Sequence, residues 1–206
     1  MQDINKVIER GTIINKYCPQ TKNTPLTIIT LSVPTTAKEI PNYPKFYFYG
    51  EMAEVANKFN IYDTVKVEGM IQSKKSVRDN KRFNSQIIIG NDITESERTF
   101  SSVFEETEIS GGKYLAPENM VRLIGTIKTV SKPSSSVSAV IIETVIDNRH
   151  SFVRCFAYNS LSETIISKFD VGTKVACIGE IQTLKKTKDD SPIYFENVVI
   201  KEIVSV

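Results

Sequence analysis

The chain has 206 residues, of which 40% are hydrophobic, and this suits two small domains with packed interiors better than one large domain. No secretory segment follows the first residue, and no apolar run approaches the ~18 residues that cross a bilayer, so we predict a cytoplasmic protein with no membrane contact. The net charge of +2 conceals three segments: residues 1–93 carry 13 Lys and Arg against 9 Asp and Glu, residues 94–118 carry 2 against 6, and residues 119–206 carry 11 against 9.

The first basic segment alternates apolar and polar residues in five stretches, with the period expected of half-buried strands. A helix is predicted between the third and fourth strands, over residues 51–59, where Met52, Val55, Ala56 and Phe59 fall on one side. The five predicted strands are residues 7–14, 26–33, 45–49, 65–71 and 83–89.

The acidic segment, residues 94–118, is rich in Glu, Ser and Thr and has no sustained periodicity, which predicts a linker. After it the first pattern returns. Residues 119–127 match residues 5–13 at an offset of 114, and residues 169–183 match residues 59–73 at an offset of 110. The second copy has predicted strands at 121–127, 137–146, 152–158, 175–184 and 194–200, and a helix that aligns Leu161, Ile165, Ile166 and Phe169.

Three strands, a short helix and two more strands is the order of an OB-fold, a five-stranded Greek-key barrel that binds oligonucleotides on strands 2 and 3 and on the connecting loops. The sequence therefore predicts an all-β protein made of two tandem OB-fold five-stranded Greek-key barrels, each with a short helix between strands 3 and 4. Domain 1 spans residues 1–93, an acidic, polar linker spans residues 94–118, and domain 2 spans residues 119–206.

Residues 43–69 carry a family resemblance. They begin Tyr-Pro-Lys-Phe-Tyr-Phe-Tyr-Gly-Glu-Met-Ala-Glu and end Val-Lys-Val-Glu-Gly. This resembles the bacterial single-stranded DNA-binding protein family, whose third strand, helix and fourth strand read aromatic-x-basic-x-x-x-aromatic-Gly-x-x-Ala-Glu and then Val-x-Val-Glu-Gly. The resemblance covers residues 5 to about 90 and, more weakly, residues 119–200, and Gly50-Glu-Met-Ala-Glu54 is its most specific part.

The resemblance implies sequence-independent binding and protection of single-stranded DNA in replication, recombination or repair, without enzymatic activity. The chain ends in a predicted strand, residues 198–206, and not in the family's acidic, apolar tip, so tail-mediated recruitment of enzymes is not expected. The doubled unit suggests a specialised version carried by a phage or plasmid. A homodimer would have four OB domains, the same number as a four-subunit family member.

Alternation along the third strands separates an inner face from an outer face in each copy. Phe46 and Phe48 are predicted to point inward, as are Val153, Cys155 and Ala157 in the second copy. Aromatic rings stack on any base, while Lys and Arg neutralise phosphates without reading sequence, and the alternative is that the rings cover a sheet or an oligomer interface. The predicted DNA contacts are Tyr43, Lys45, Tyr47 and Tyr49, and in the second copy Phe152, Arg154, Phe156 and Tyr158.

The hairpins between strands 4 and 5 are predicted to have basic tips that clamp the DNA, with a merely solvated tip as the alternative. The candidate contacts are Lys74, Lys75, Arg78, Lys81, Arg82 and Phe83 in the first copy and Lys185 and Lys186 in the second. Lys16, Tyr17 and Lys22, in the predicted loop after strand 1, are placed at the groove entrance, although surface solubility explains them equally well.

Catalytic motifs are missing from the sequence. It has one histidine, His150, and lacks a Gly-rich phosphate loop, a nucleophile elbow and clustered metal ligands, so we expect neither an enzyme nor a cofactor. Of the three cysteines, Cys155 and Cys177 are predicted to be small buried apolar residues. Two alternatives to DNA binding stay open: an OB-fold protein-interaction or assembly module, and a single-stranded RNA binder.

Overall fold

A computed structural model describes residues 1–34, 41–78, 81–97, 107–109, 112–114, 118–188 and 191–206. Within these ranges, residues 75–78, 81–84, 107–109, 112–114, 185–188 and 191–194 are described by their backbone alone. The elements in chain order are β1 (Ile4–Tyr17), β2 (Leu26–Ser32), β3 (Lys45–Tyr49), α1 (Glu51–Asn57), β4 (Thr64–Arg78), β5 (Lys81–Glu95), β6 (Thr107–Ile109), β7 (Gly112–Tyr114), β8 (Glu118–Ser134), β9 (Val137–Ile146), β10 (Arg149–Tyr158), α2 (Asn159–Lys168), β11 (Lys174–Lys188) and β12 (Ser191–Ser205).

The chain folds into two compact units. The N-terminal unit contains Val7–Met70 and Ile88–Asn119, and the C-terminal unit contains Met1–Lys6, Ile71–Ile87 and Met120–Val206. The C-terminal unit therefore includes part of the β4–β5 hairpin, residues 71–78 and 81–87, which we call the arm. The predicted division into residues 1–93, 94–118 and 119–206 stays a prediction.

The N-terminal unit contains a closed five-stranded barrel. β1 pairs antiparallel with β2 and with β4, β2 pairs antiparallel with β3, and β3 pairs parallel with β5. Since β5 neighbours β4, the circuit returns to β1. Its interior is apolar, and Ile29, Leu31, Phe46 and Phe48 have no exposed surface. The predictions of an all-β chain and of an OB-like barrel are confirmed.

The strands of the C-terminal unit pair in the same order. β8 pairs with β9 and β11, β9 with β10, β10 in parallel with β12, and β12 with β11. In the parallel pairs, Phe46 lies opposite Ile88 and Cys155 lies opposite Val198. The second circuit therefore repeats the topology of the first.

The repeat extends to single backbone hydrogen bonds. Tyr62 N–H donates to Ile13 O at 2.8 Å, and at the matching position Gly172 N–H donates to Ile127 O at 2.8 Å. Glycine also recurs where strands approach closely: a Cβ on Gly69 would lie 2.3 Å from Ile89 O, and a Cβ on Gly179 would lie 2.4 Å from Val199 O. No larger side chain fits at either glycine without moving the neighbouring strand.

Several strand boundaries differ from the prediction. β4 continues to Arg78 and β5 begins at Lys81, and β11 likewise continues to Lys188, so the basic residues assigned to hairpin tips lie on strands. The strands are longer than predicted because period-two alternation marks a strand only where one face is buried, and it gives no signal where both faces are polar. Lys16 and Tyr17 also lie on β1 and not in a loop, since β1 stays paired with β2 as far as Tyr17.

The predicted linker contains regular structure at both ends and within. β5 ends at Glu95, β6 and β7 form a two-stranded antiparallel sheet, and β8 begins at Glu118. The Glu118 carboxylate lies 3.2 Å from Arg10 Nη2 and 3.2 Å from Lys66 Nζ. Because Arg10 and Lys66 are directly opposed on β1 and β4, this carboxylate offsets the repulsion between two like charges.

Both helices occur where they were predicted, but their buried faces differ in part. α1 buries Ala53 and Ala56, and α2 buries Ser162 and Ile165. Ile166 is exposed, so its predicted place on the same side of the helix as Ile165 is wrong, because adjacent helical residues are about 100° apart and Ile165 is the buried one. Among the described residues, no helix is both long and apolar enough to cross a membrane.

Candidate nucleic-acid interface

The outer face of β3 has the side chains that alternation predicts. Phe46 and Phe48 are fully buried, while Tyr49 is 41% exposed, which confirms the two predicted faces of this strand. Tyr43, Lys45 and Tyr47 are half-buried and make contacts of their own. β3 is therefore apolar toward the barrel and aromatic with one cation on its outer side.

A row of large side chains crosses three strands of this outer face. Tyr17 on β1 lies opposite Ile28 on β2, and Ile28 lies opposite Tyr47 on β3. Directly opposed side chains have Cβ atoms about 4.5–5.5 Å apart, so the three form one continuous surface. Tyr17 is 59% exposed. Sequence reasoning missed Ile28 because single-strand alternation does not reveal which residues face each other across strands.

The outer face of β10 in the C-terminal unit has the same composition. Val153, Cys155 and Ala157 are fully buried, while Phe152 is 41% and Tyr158 is 40% exposed. Arg154 is also exposed, and its guanidinium carbon lies 5.7 Å from the centre of the half-buried Phe156 ring. This cation–π contact holds a positive charge among the aromatic rings.

A carboxylate lies on this basic face and was missed by sequence reasoning. Glu143 on β9 is directly opposite Phe152. Its Oε2 lies 2.7 Å from Lys128 Nζ and its Oε1 lies 2.8 Å from His150 Nδ1. The hydrogen bond from Lys128, followed by that from His150, lowers the pKa of Glu143. Glu143 thus neutralises positive charge next to an exposed aromatic ring.

The arm lies along the edge of β10. The described pairing of β10 with β12 covers Cys155 and Phe156. Earlier on β10, Phe152 N–H donates to Ser73 Oγ at 3.3 Å and Arg154 N–H donates to Gln86 Oε1. Gln86 Nε2 also donates to Glu196 O at 3.4 Å, so its amide bridges β10 and β12 as a peptide group would.

A cavity of about 470 Å³ lies in the C-terminal unit where the arm meets the outer face. Lys128, Thr129, Ile141, Phe152 and Arg154 line it from β8, β9 and β10, and Ser73, Ser85 and Gln86 line it from the arm. Two of the predicted contacts, Phe152 and Arg154, therefore line one concave site. The arm residues at this site were not predicted.

The other predicted contacts are distributed as follows. Lys74 is exposed on the arm, and Lys22 is exposed between β1 and β2. Lys16 Nζ donates to Asn57 O at 2.9 Å and to Phe59 O at 2.8 Å, so Lys16 holds the end of α1. The side chains of Lys75, Arg78, Lys81, Arg82, Phe83, Lys185 and Lys186 lie outside the described part of the chain.

The cysteines fit the apolar prediction. Burial raises the pKa of the Cys155 thiol well above its ordinary range and raises that of Cys177 to about 12. Cys18 is exposed. Over the described residues there is no group of three or more His, Cys, Asp or Glu side chains placed to hold a metal ion.

Comparison with solved structures finds a protein of similar fold. The crystal structure of the wild-type single-stranded DNA-binding protein from Thermus aquaticus superposes with a TM-score of 0.72 and 15% sequence identity, over 100% of this chain and 94% of that one. A deletion mutant of the same protein gives a TM-score of 0.71 at 16% identity, over 100% of this chain and 95% of that chain. The likeness is one of fold. No protein-family model matches the sequence, and a search of curated proteins finds no match.

Proposed function

We propose that the chain binds single-stranded DNA without sequence preference, on the outer faces of β2–β3 and β9–β10. The observation that carries the proposal is the recurrence of one surface at equivalent positions of two circuits. Tyr47 lies opposite Ile89 in the first parallel pair, and Phe156 lies opposite Val199 in the second. Each is followed two residues later by an exposed tyrosine, Tyr49 or Tyr158.

These side chains suit a ligand that offers aromatic bases and a repeated negative charge. Stacking of a base on an aromatic side chain contributes roughly 1–3 kcal/mol and accepts every base. Lys45 is on the same strand as Tyr47 and Tyr49, Arg154 lies 5.7 Å from the centre of the Phe156 ring, and Lys128 lines the same cavity as Phe152. Phosphate neutralisation makes such binding weaken as salt concentration rises. The name of the Thermus aquaticus protein of similar fold supports the same ligand.

The proposal includes the finer predictions from the sequence. Two tandem OB barrels, with residues 94–118 as the connector, account for the repeated strand circuit. A cytoplasmic protein of this kind protects single strands in replication, recombination or repair. Its origin in a phage or plasmid stays a prediction.

Fluorescence anisotropy of a labelled oligo(dT), with matched duplex and RNA as competitors, tests the ligand. Tyr17→Ala/Tyr49→Ala and Phe152→Ala/Tyr158→Ala each remove two exposed rings, and we expect each pair to weaken binding roughly 10- to 100-fold. Tyr62→Ala is the matched control, because Tyr62 is exposed in the turn before β4 and belongs to none of the strands β1, β2 and β3.

The outcomes separate the candidate functions. Unchanged affinity in both double variants would contradict the proposed faces. Loss in the first pair alone would assign DNA to the N-terminal unit and assembly to the other. Tighter binding of the RNA competitor would select RNA as the ligand, since the 2′-hydroxyl distinguishes the two sugars.

A homodimer is part of the proposal, and a second surface supports it. On the outer face of β11, exposed Ile178 lies between Arg122 on β8 and Glu202 on β12. An apolar cavity of about 200 Å³ adjoins this row and is also lined by Ile4 and Val204. A surface with an acid and a base on opposite sides of an apolar centre is complementary to itself about a two-fold axis.

Sedimentation or native mass measurement of Ile178→Lys tests the dimer. We expect the wild type to be a dimer and this variant a monomer. Val171→Lys adds the same charge at an exposed turn residue and is the control. A monomeric wild type at micromolar concentration would remove the dimer from the proposal.

A further inference from the structure

The cavity between the arm and the β8–β10 face has one wall whose polar groups are already engaged. Ser73 Oγ accepts the Phe152 N–H, Gln86 Oε1 accepts the Arg154 N–H, and Gln86 Nε2 donates to Glu196 O. Ser85 Oγ donates to Lys74 O at 3.3 Å. The principal hydrogen-bonding groups of the arm wall are thus bonded to the protein backbone. This wall contacts a ligand mainly through its surface shape.

The opposite wall offers groups suited to a nucleotide. The exposed Phe152 ring and the half-buried Ile141 side chain supply apolar surface. Lys128 and Arg154 supply two cations at the same cavity. An aromatic ring next to two cations complements a planar base that carries a phosphate.

The volume of the cavity suits a single small ligand. About 470 Å³ lies within the ~300–1,000 Å³ typical of small-molecule sites. A groove that holds an extended strand is open at both ends. This cavity differs because the arm closes one side of it. The space is therefore suited to one residue of a polynucleotide that has turned away from its neighbours.

We infer that this cavity is a subsite for a single nucleotide, in which the base stacks on Phe152 and the phosphate pairs with Lys128 and Arg154. The inference rests on the proposed function and deepens it by assigning one position of the bound strand. Gln86 is a positioning residue, since it holds the arm wall against β10 and does not face the base with free hydrogen-bonding groups. Because the wall hydrogen bonds are used internally, the subsite accepts different bases.

Glu143 lowers the affinity of the subsite for a phosphate. Its carboxylate is 2.7 Å from Lys128 Nζ, so an incoming phosphate competes with it for the same ammonium group. Arg154 has a different neighbour, the Phe156 ring, and a phosphate can approach the guanidinium edge without removing that contact. Arg154 is therefore the first phosphate contact, and Lys128 follows when it leaves Glu143.

Titration of the ¹⁵N-labelled full chain with thymidine 5′-monophosphate tests the inference. We expect saturable shifts at the Phe152 and Arg154 backbone amides and at the Gln86 side-chain amide. Phe152→Leu should weaken the affinity for this nucleotide about fivefold or more. Tyr62→Leu is the matched control: it changes an exposed ring that does not line the cavity and is not part of the proposed binding faces, so it should leave mononucleotide binding unchanged.

Additional measurements distinguish failure of the subsite from failure of the proposed function. Gln86→Leu should weaken mononucleotide binding while the amide spectrum away from the arm and β10 stays that of the folded wild type. Equal shifts with inorganic phosphate alone would overturn the base-stacking claim. Absence of saturable shifts in a protein that still binds oligo(dT) would overturn the subsite and leave the proposed function standing. Absence of binding to both ligands would remove the proposed function itself.

Discussion

Tyr62 adopts a backbone conformation that the repeat assigns to glycine. Its φ is 79°, and Gly172 at the matching position has a φ of 94°. Both backbone N–H groups make the same hydrogen bond to the first strand of their circuit, at 2.8 Å. The turn therefore requires a left-handed residue, and a side chain there costs roughly 1–2 kcal/mol relative to glycine.

Tyr62→Gly should therefore stabilise the protein. Removing the left-handed strain stabilises the folded chain, while the greater conformational entropy of glycine in the unfolded chain lowers the free energy of unfolding by about 0.5–1 kcal/mol. The first effect is the larger, so we expect the free energy of unfolding to rise by up to about 1 kcal/mol. Chemical denaturation measures the change, and Tyr62→Ala, which keeps the strain, is the control. A loss of stability in the glycine variant would show that the exposed ring contributes more than the strain removes.

Glu143 reduces the positive charge of the C-terminal outer face. Glu143→Gln should strengthen oligo(dT) binding several-fold at low salt and steepen the dependence of log affinity on log salt by up to about 1, because Lys128 becomes available to a phosphate. Glu163→Gln removes an exposed acid from α2 and controls for net charge. Equal strengthening by both variants would indicate a general charge effect.

The same residue predicts a pH dependence of stability. The pKa of Glu143 is lowered in the folded chain, chiefly by Lys128, so its contribution to stability is present above the pKa of the unfolded carboxyl. The contribution is lost as pH falls through the folded value. The stability difference between wild type and Glu143→Gln should therefore be present at neutral pH and disappear in acid.

At the scale of elements, the arm is fastened by one buried side chain of β1. Asn5 Nδ2 donates to Ile71 O at 2.7 Å and to Thr144 Oγ1 at 3.1 Å, while Ile71 N–H donates to Asn5 Oδ1 at 2.9 Å. Asn5 thereby joins the base of the arm to β9. Asp3 adds a second attachment, since its Oδ2 accepts the Val145 N–H at 2.8 Å.

Asn5→Ala should destabilise the C-terminal unit. It leaves the Ile71 N–H and carbonyl without these partners in a buried place, which costs about 1–3 kcal/mol. Thermal and denaturant unfolding measure the loss, and hydrogen exchange should show faster exchange at Ile71, whose N–H loses its acceptor. Asn15→Ala, at an exposed position of the same strand, is the control. Unchanged exchange at the Ile71 amide would contradict the role of Asn5.

The sequence predicted the parts of these elements that have one buried face. Alternation identified the inner and outer sides of β3 and β10, because the buried residues there repeat every second position. It did not identify residues 72–78 of the arm as strand, because the sequence there is largely a run of consecutive polar residues. It also did not reveal the opposition of Ile28 and Tyr47, or of Glu143 and Phe152, because register between strands depends on pairing and bulges.

At the scale of the whole molecule, two proposed binding faces belong to one chain. Attachment of a strand to one face raises its effective concentration at the other, and such linkage strengthens binding by up to about 10²–10⁴. The gain depends on a strand long enough to occupy both sites. OB-folds contact about 4–16 nucleotides each, so the required length exceeds that of a single site.

Affinity should therefore rise steeply with oligonucleotide length. We expect oligo(dT) of about 35 nucleotides to bind at least about tenfold more tightly than oligo(dT) of about 8, beyond the statistical effect of extra sites. In Phe152→Ala/Tyr158→Ala this additional gain should disappear while the short oligonucleotide still binds. A length dependence that is the same in wild type and variant would mean that the two faces act independently.

The division of the chain between the units has a consequence for biosynthesis. Residues 1–6 and 71–87 belong with residues 120–206, whereas residues 7–70 and 88–119 form the other unit. As the chain leaves the ribosome, the N-terminal unit has all of its residues by position 119, while Asn5, Ser73 and Gln86 are made before the strands that they contact. The second half of the gene alone encodes a unit without these three residues, so the second copy is not a self-sufficient module that recombination can transfer intact.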